Sequence, residues 1–239
     1  MISYQVYFRQ PELHYIEIEM KISVENPQML ELYMPTWTPG SYMIREYSKN
    51  LDQFQVLDGS GDKIPFQKIN KNTWNIQAEL KGDYFIHYRI YANEWSVRTN
   101  HVDVDHAMIN GAPTFLTVKG WEENPHQIVF HPYENWKTIS SPLEVLGNEW
   151  TRVAENYDLL VDSPAEIGNH EVLSFDIENV KHEVALVGVS NFDRMTFLKD
   201  LKAIVAVETN LFRTYHPCKK YLFILHHTEN VYGGLEHLN

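Results

Sequence analysis

Residues 13–24 read LHYIEIEMKISV, and they alternate without a break. Ile16, Ile18, Met20, Ile22 and Val24 fall on one side, while Glu17, Glu19, Lys21 and Ser23 fall on the other. A hydrophobic period of two places successive side chains on opposite faces of a pleated ribbon, so this stretch is predicted to be a strand with one face buried and one wet. Its neighbours at 4–8 and 30–34 carry the same β-favouring residues. Further strands are predicted at 54–57, 74–78, 84–91, 115–118 and 127–130, separated by Gly, Asn and Pro turns such as DGSGDK. Pro35, Pro39 and Gly40 interrupt any ladder within PTWTPGSYMIREY. Closely spaced strands of this kind predict a mainly β fold, a β-sandwich or a saddle-like sheet.

The pattern changes beyond residue 149. A short helix is predicted before Pro164, then a strand at 182–187. A helix over 193–212 follows, with Leu198, Leu201, Ile204, Val205 and Leu211 as its apolar stripe. The continuously apolar 221–225 then reads as a strand of a mixed sheet. The chain therefore divides into a β domain, 1–155, and the incomplete start of an α/β region, 156–239. The apolar faces of that second region expect partners that the sequence does not supply, which predicts a mobile or partly exposed C-terminal portion.

The 239 residues are 44% hydrophobic and 13% aromatic, enough large apolar side chains for a real core and far from a disordered composition. A formal net charge of −12 and the absence of basic runs argue against nucleic acid as a partner. No apolar run approaches the roughly 18 residues that a membrane helix needs. The start, MISYQVYFRQPEL, lacks the basic and apolar regions of a signal peptide, so a cytoplasmic location is the expectation. Cys218 is the single cysteine; this excludes a disulfide framework and a thiolate zinc site, and nothing marks a base that would make it a nucleophile.

Several polar clusters invite a chemical reading. In HVDVDH, a continuous strand would put His101, Asp103 and Asp105 on one face and His106 on the other. Ligands in line on one strand rarely converge on one ion, so a polar rim is the default. The adjacent His226 and His227 would point opposite ways and share no metal. His182-Glu183 opens HEVAL, which lacks the second histidine of HExxH, and the chain holds neither that motif nor a GxSxG or GxGxxG. Trp37, Trp95 and Trp121 would serve a binding surface if exposed, although Trp is more often buried. In the closing YGGLEH, two glycines suit a segment that another backbone approaches closely. An edge strand there could pair with an extended peptide while Glu236 receives an ammonium group; a Gly-Gly turn with a solvated glutamate fits the same residues.

Taken in order, HYIEIEM (14–20), LYMPTWTPGSYMIREYSKN (32–50), NKNTWNI (70–76), IHYRIYANEWSVRTNHVDVDHAMINGAPTF (86–115), YDLLVDSPAEIG (157–168) and YLFIL…YGGLEH (221–237) resemble the glycyl aminopeptidase family of zinc metallopeptidases, whose members often carry a PDZ domain. The resemblance implies an N-terminal β domain followed by the truncated start of a thermolysin-like catalytic domain. It implies that Gly233, Gly234 and Leu235 line the backbone of a peptide substrate and that Glu236 binds its free α-amino group. It also implies an HExxH zinc helix beyond this strand. None lies within these residues, so no catalytic residue and no metal are expected in this chain, zinc belongs to the full-length protein, and the fragment alone should be inactive. The alternative is a non-catalytic peptide- or carbohydrate-binding β module.

Overall fold

The computed structural model describes residues 1–38, 41, 43–211, 218–229 and 232–238. Pro39, Gly40 and Tyr42 of the WTPGSYMIREY motif, and Phe212 at the end of the predicted second helix, lie outside the described residues. The chain is mainly β, as the alternation predicts.

The strand Tyr15–Val24 is the spine of an eight-stranded sheet. It pairs antiparallel with Ile2–Tyr7 on one side and with Gly82–Tyr91 on the other. Its register sets Ile18 between Val6 and Tyr88, and Met20 between Tyr4 and Ile86. All of these side chains are buried, and the intervening Glu17, Glu19 and Lys21 face outward. Each fully buried Ile or Met contributes about 1.5–3 kcal/mol relative to exposure, so the pattern that marks the strand is also what stabilises it. Ile2–Tyr7 then runs parallel to His126–His131, a pairing that joins the first residues to a strand more than a hundred positions later.

Two four-stranded sheets complete this body. One holds Gln28–Tyr33 and Thr73–Ala78, whose Leu30, Leu32, Trp74 and Ile76 enter the same core. The other holds Ala107–Ile109, Thr138–Ser140 and Ala165–Gly168. A short helix, Tyr157–Val161, is capped by the Asn156 side chain, which accepts from the Leu159 N–H at 2.9 Å. Gly111 lies against the end of this helix: a Cβ there would stand 2.2 Å from the Leu160 carbonyl oxygen. The expected change of domain at 155 therefore falls inside a region still paired to the first body. Strand pairing carries that body to Gly168, because Ala165–Gly168 hydrogen-bonds to strands on either side.

Beyond it, Glu171–Ile177, Val180–Val187 and Lys220–His226 form a three-stranded mixed sheet, the last pair parallel. The helix Arg194–Leu211 rests on it through Phe197, Leu198, Leu201 and Val205. Of the predicted stripe, Ile204 and Leu211 instead remain 59% and 70% exposed, and no residue of this helix is fully buried. No described helix is long and apolar enough to cross a membrane.

Candidate functional site

The HVDVDH stretch is not one strand. His101–Val102 and Ala107–Ile109 pair antiparallel, and the residues between them turn. The Asp103 carboxylate builds the turn, its Oδ1 accepting from the backbone N–H of Asp105 at 2.8 Å and of His106 at 3.1 Å. The turn overrides the strict two-residue alternation that a single strand would impose. It brings His101 and His106, expected on opposite faces, to 5.4 Å between ring centroids. His101 Nε2 lies 2.9 Å from Asp103 Oδ2, and Trp95 stacks on the His101 ring at 4.0 Å.

A second segment meets this hairpin from below. Glu166, in Ala165–Gly168, pairs in register with Met108 and is completely buried. Its Oε1 is 2.7 Å from His106 Nδ1, and its Oε2 is 2.9 Å from Nε2 of His226, the last residue of Lys220–His226. Burial raises the pKa of a lone carboxyl, but the two bonded imidazoles outweigh it and hold Glu166 below its ordinary value. Burial likewise opposes a charged His106, and the Glu166 carboxylate bonded to it prevails, raising the imidazole. Asp103 is also held down: burial raises it, and the His101 bond and two backbone N–H groups more than compensate. A Cβ on Gly168 would meet the His106 Cβ at 2.8 Å, so glycine lets the hairpin settle onto the Glu166 strand.

His226 and His227 do point apart, His227 Nδ1 toward the Val189 carbonyl. Nothing in the local sequence paired His226 with Glu166. The one available signal was an acidic residue inside the otherwise uncharged SPAEIG. His182 and Glu183 of HEVAL sit in a strand, and Glu183 pairs with Lys181 and Lys220. Cys218 is half-buried, and burial pushes its thiol up, away from nucleophilic character. Of the candidate tryptophans, Trp37 is 49% exposed and Trp121 packs against the core.

Gly233, Gly234, Leu235 and Glu236 line a cleft of about 380 Å³ together with Trp95 and Val97 from the first body and Tyr221 and Phe223 from the mixed sheet. A Cβ on Gly233 would lie 3.2 Å from Val97 Cγ1, whereas Gly234 has open space beside it. The segment is not the expected edge strand: Tyr232–Leu238 forms no ladder among the described residues. It is tied instead by Asp162, whose oxygens meet His237 Nδ1 at 3.0 Å and the Leu238 N–H at 2.9 Å. The Glu236 side chain is exposed at the cleft and makes no ion pair among the described residues.

The 239 residues hold no HExxH, and the cluster around Glu166 is not a variant of it, since His106 and His226 come from a hairpin and a separate strand rather than from one helix.

Residues 3–169 match the peptidase M61 N-terminal domain. An aminopeptidase N family protein from Idiomarina loihiensis superposes with a TM-score of 0.91 at 30% identity, over 99% of this chain and 41% of that one. An M1 zinc metallopeptidase from Deinococcus radiodurans shares the fold at 8% identity, with a TM-score of 0.54 over 93% of this chain and 55% of that one. The same enzyme bound to a Tyr-Ser-Ala substrate superposes with a TM-score of 0.52. This chain thus spans only about half or less of the length of these proteins, and no curated protein matches it. The chain belongs to the peptidase M61 family, whose N-terminal domain it carries.

Proposed function

We propose that this chain is the substrate-binding front part of a zinc aminopeptidase that removes small N-terminal residues, glycine or alanine, from peptides. In this reading the residues beyond Gly168 begin a thermolysin-like catalytic domain of which the metal-holding part lies outside this sequence. The reading is supported by the cleft in which Gly233, Gly234, Leu235 and Glu236 face Trp95 and Val97. A carboxylate at such a cleft, free of any ion pair among the described residues, suits the ammonium of a peptide's free end. The glycines leave the backbone open to a ligand's main chain, and the aromatic rings of Trp95, Tyr221 and Phe223 offer its first side chain an apolar wall.

Gly233 and Val97 work as a pair here. The missing side chain at Gly233 lets the loop bearing Val97 close on the cleft from the first body, which narrows the space beside the amino-terminal residue and favours a small one. Lacking HExxH, the 239-residue chain by itself is expected to hydrolyse no peptide.

The test is Glu236→Gln in the protein extended through its metal-binding part. A charge-assisted hydrogen bond is replaced by a neutral one, so kcat/KM on glycyl and alanyl peptides should fall roughly 10- to 100-fold. N-acetylated peptides should be poor substrates of both forms. Equal kcat/KM for the variant and the parent would overturn the assignment of Glu236.

A further inference from the structure

His106, Glu166 and His226 offer one ligand atom each, all within 4.8 Å of one another. The cluster is built from three separate segments, and its centre, Glu166, is completely shielded from water. Asp103 stands on the far side of His106 with a second negative charge. Among the described residues neither carboxylate meets a lysine or arginine; their only ionic partners are imidazoles. Two neighbouring acids, one wholly buried, therefore rely for compensation on histidine or on a cation from solution.

We infer that His106, Glu166 and His226 form a binding site for a divalent transition-metal ion, one that clamps the end of the Lys220–His226 strand to the β body. Two imidazoles and a carboxylate are the donor set that zinc and its neighbours prefer, and three protein ligands leave a position for water. The site borders an open cleft of about 420 Å³ lined by Trp95, Asp103, His106, His170 and His226, which gives an ion a path from solvent. In the present geometry each imidazole nitrogen sits at hydrogen-bond distance from a Glu166 oxygen, 2.7 and 2.9 Å. A tetrahedral ion with bonds of about 2.0–2.2 Å needs its ligand atoms roughly 3.3 Å apart. Each imidazole nitrogen would have to part from its carboxylate oxygen by about half an ångström, which His226 at a strand end permits. The ion takes the place of the protons that the two rings now direct at Glu166, and these pass to the far ring nitrogens or to solvent.

The neighbouring trio of His101, Asp103 and His106 also falls within 4.8 Å. There, however, Asp103 Oδ1 is already committed to two backbone N–H groups that make the hairpin turn, and the His101 ring lies flat against Trp95. That group shapes and charges the site from the side. The inference departs from the expectation that this chain holds no metal, and it does not rest on the proposed peptidase activity.

The experiment is a calorimetric titration of the chelator-treated 239-residue chain with Zn²⁺, and separately with Co²⁺, near neutral pH. Because this sequence has no HExxH, stoichiometric uptake does not come from that motif, and variants of Glu166 and His226 assign it to those residues. One equivalent should bind, Zn²⁺ should raise the thermal midpoint, and bound Co²⁺ should show the visible bands of a low-coordinate nitrogen and oxygen site. His226→Ala and Glu166→Gln should each weaken binding by about 100-fold or more, while His237→Ala, at a histidine bonded to Asp162 and outside the cluster, should leave it unchanged. Removing a buried charge can itself unfold the chain, so His226→Gln at the partly exposed strand end is the second variant. With native circular dichroism retained, it should lose both the uptake and the Zn²⁺-dependent rise in midpoint. Absence of stoichiometric uptake, or uptake undiminished in folded His226→Gln, overturns the site. Neither result bears on Glu236.

Discussion

The β body and the three-stranded sheet behind it use the same ingredients to different ends. In the body, Tyr15–Val24 is flanked on both sides, and every second residue is sealed in a core shared by three sheets. In the second unit, Lys220–His226 is an edge strand with only Leu222 buried, and the helix Arg194–Leu211 buries no residue fully. Met195, Ile204, Val207 and Leu211 are 59–75% exposed on one helix. The first unit thus closes its own core, whereas the second presents apolar surface that neither its sheet nor its helix covers. Local stability should follow the same divide.

The largest effect is expected where the body admits no adjustment. Gly111→Ala drives a Cβ to 2.2 Å from the Leu160 carbonyl and 2.6 Å from the Val161 Cα, both main-chain atoms that cannot rotate away. A loss of roughly 4 kcal/mol or more is expected in urea unfolding. A change below about 1 kcal/mol would mean that the helix Tyr157–Val161 can slide, and that the body is less fixed than its packing indicates.

A matched pair of truncations probes the contrast directly. Met20 is wholly buried between Tyr4 and Ile86, so Met20→Ala should cost about 2–5 kcal/mol through lost burial and the cavity left behind. Ile204→Ala removes a side chain that is 59% exposed and should stay within about 0.5 kcal/mol. Comparable losses from both would show that the outer face of the helix is covered in solution.

What could be read from the sequence follows the same line. Alternation from Ile16 to Val24 needs only one buried face, so it located the strand and its core residues directly. On the second helix, three of the five stripe residues meet the sheet. Periodicity finds apolar positions, but Leu198, Leu201 and Val205 meet the sheet while Ile204 faces away, and only the placement of the sheet decides between them. Short strands such as His101–Val102 and Ala165–Gly168 carry too few residues for a period to register. The cluster around Glu166 was illegible for a related reason. Its members lie 60 positions apart on either side, and they are joined by a hairpin turn and a strand register that no local pattern encodes. Gly233 to Glu236 were legible as a motif, whereas the tie to Asp162 that replaces the expected ladder was not.

Acid should narrow the gap between the two regions, because the body carries a buried histidine that resists protonation. His126 is fully enclosed beside the hydroxyl of Tyr4 and the ring of Tyr157, with its Nδ1 3.0 Å from the Tyr4 oxygen. Burial, aided by the charge of the nearby chain terminus and opposed by Glu122, lowers its pKa to about 4. In the unfolded chain the same ring titrates near its ordinary value of about 6.5. The unfolded state therefore takes up a proton that the folded state refuses as pH falls from about 6.5 toward 4, so the stability present above that window drains away within it. The loss should be on the order of 1–3 kcal/mol, smaller than either core change. Hydrogen exchange at His126–His131, compared with Val180–Val187 across this pH range, is the measurement that locates it. Protection of the first strand should fall faster than protection of the second, and His126→Asn should flatten the difference. An unchanged pH slope in that variant would assign the acid response to other histidines, such as His131 or His170, whose pKa values burial also lowers.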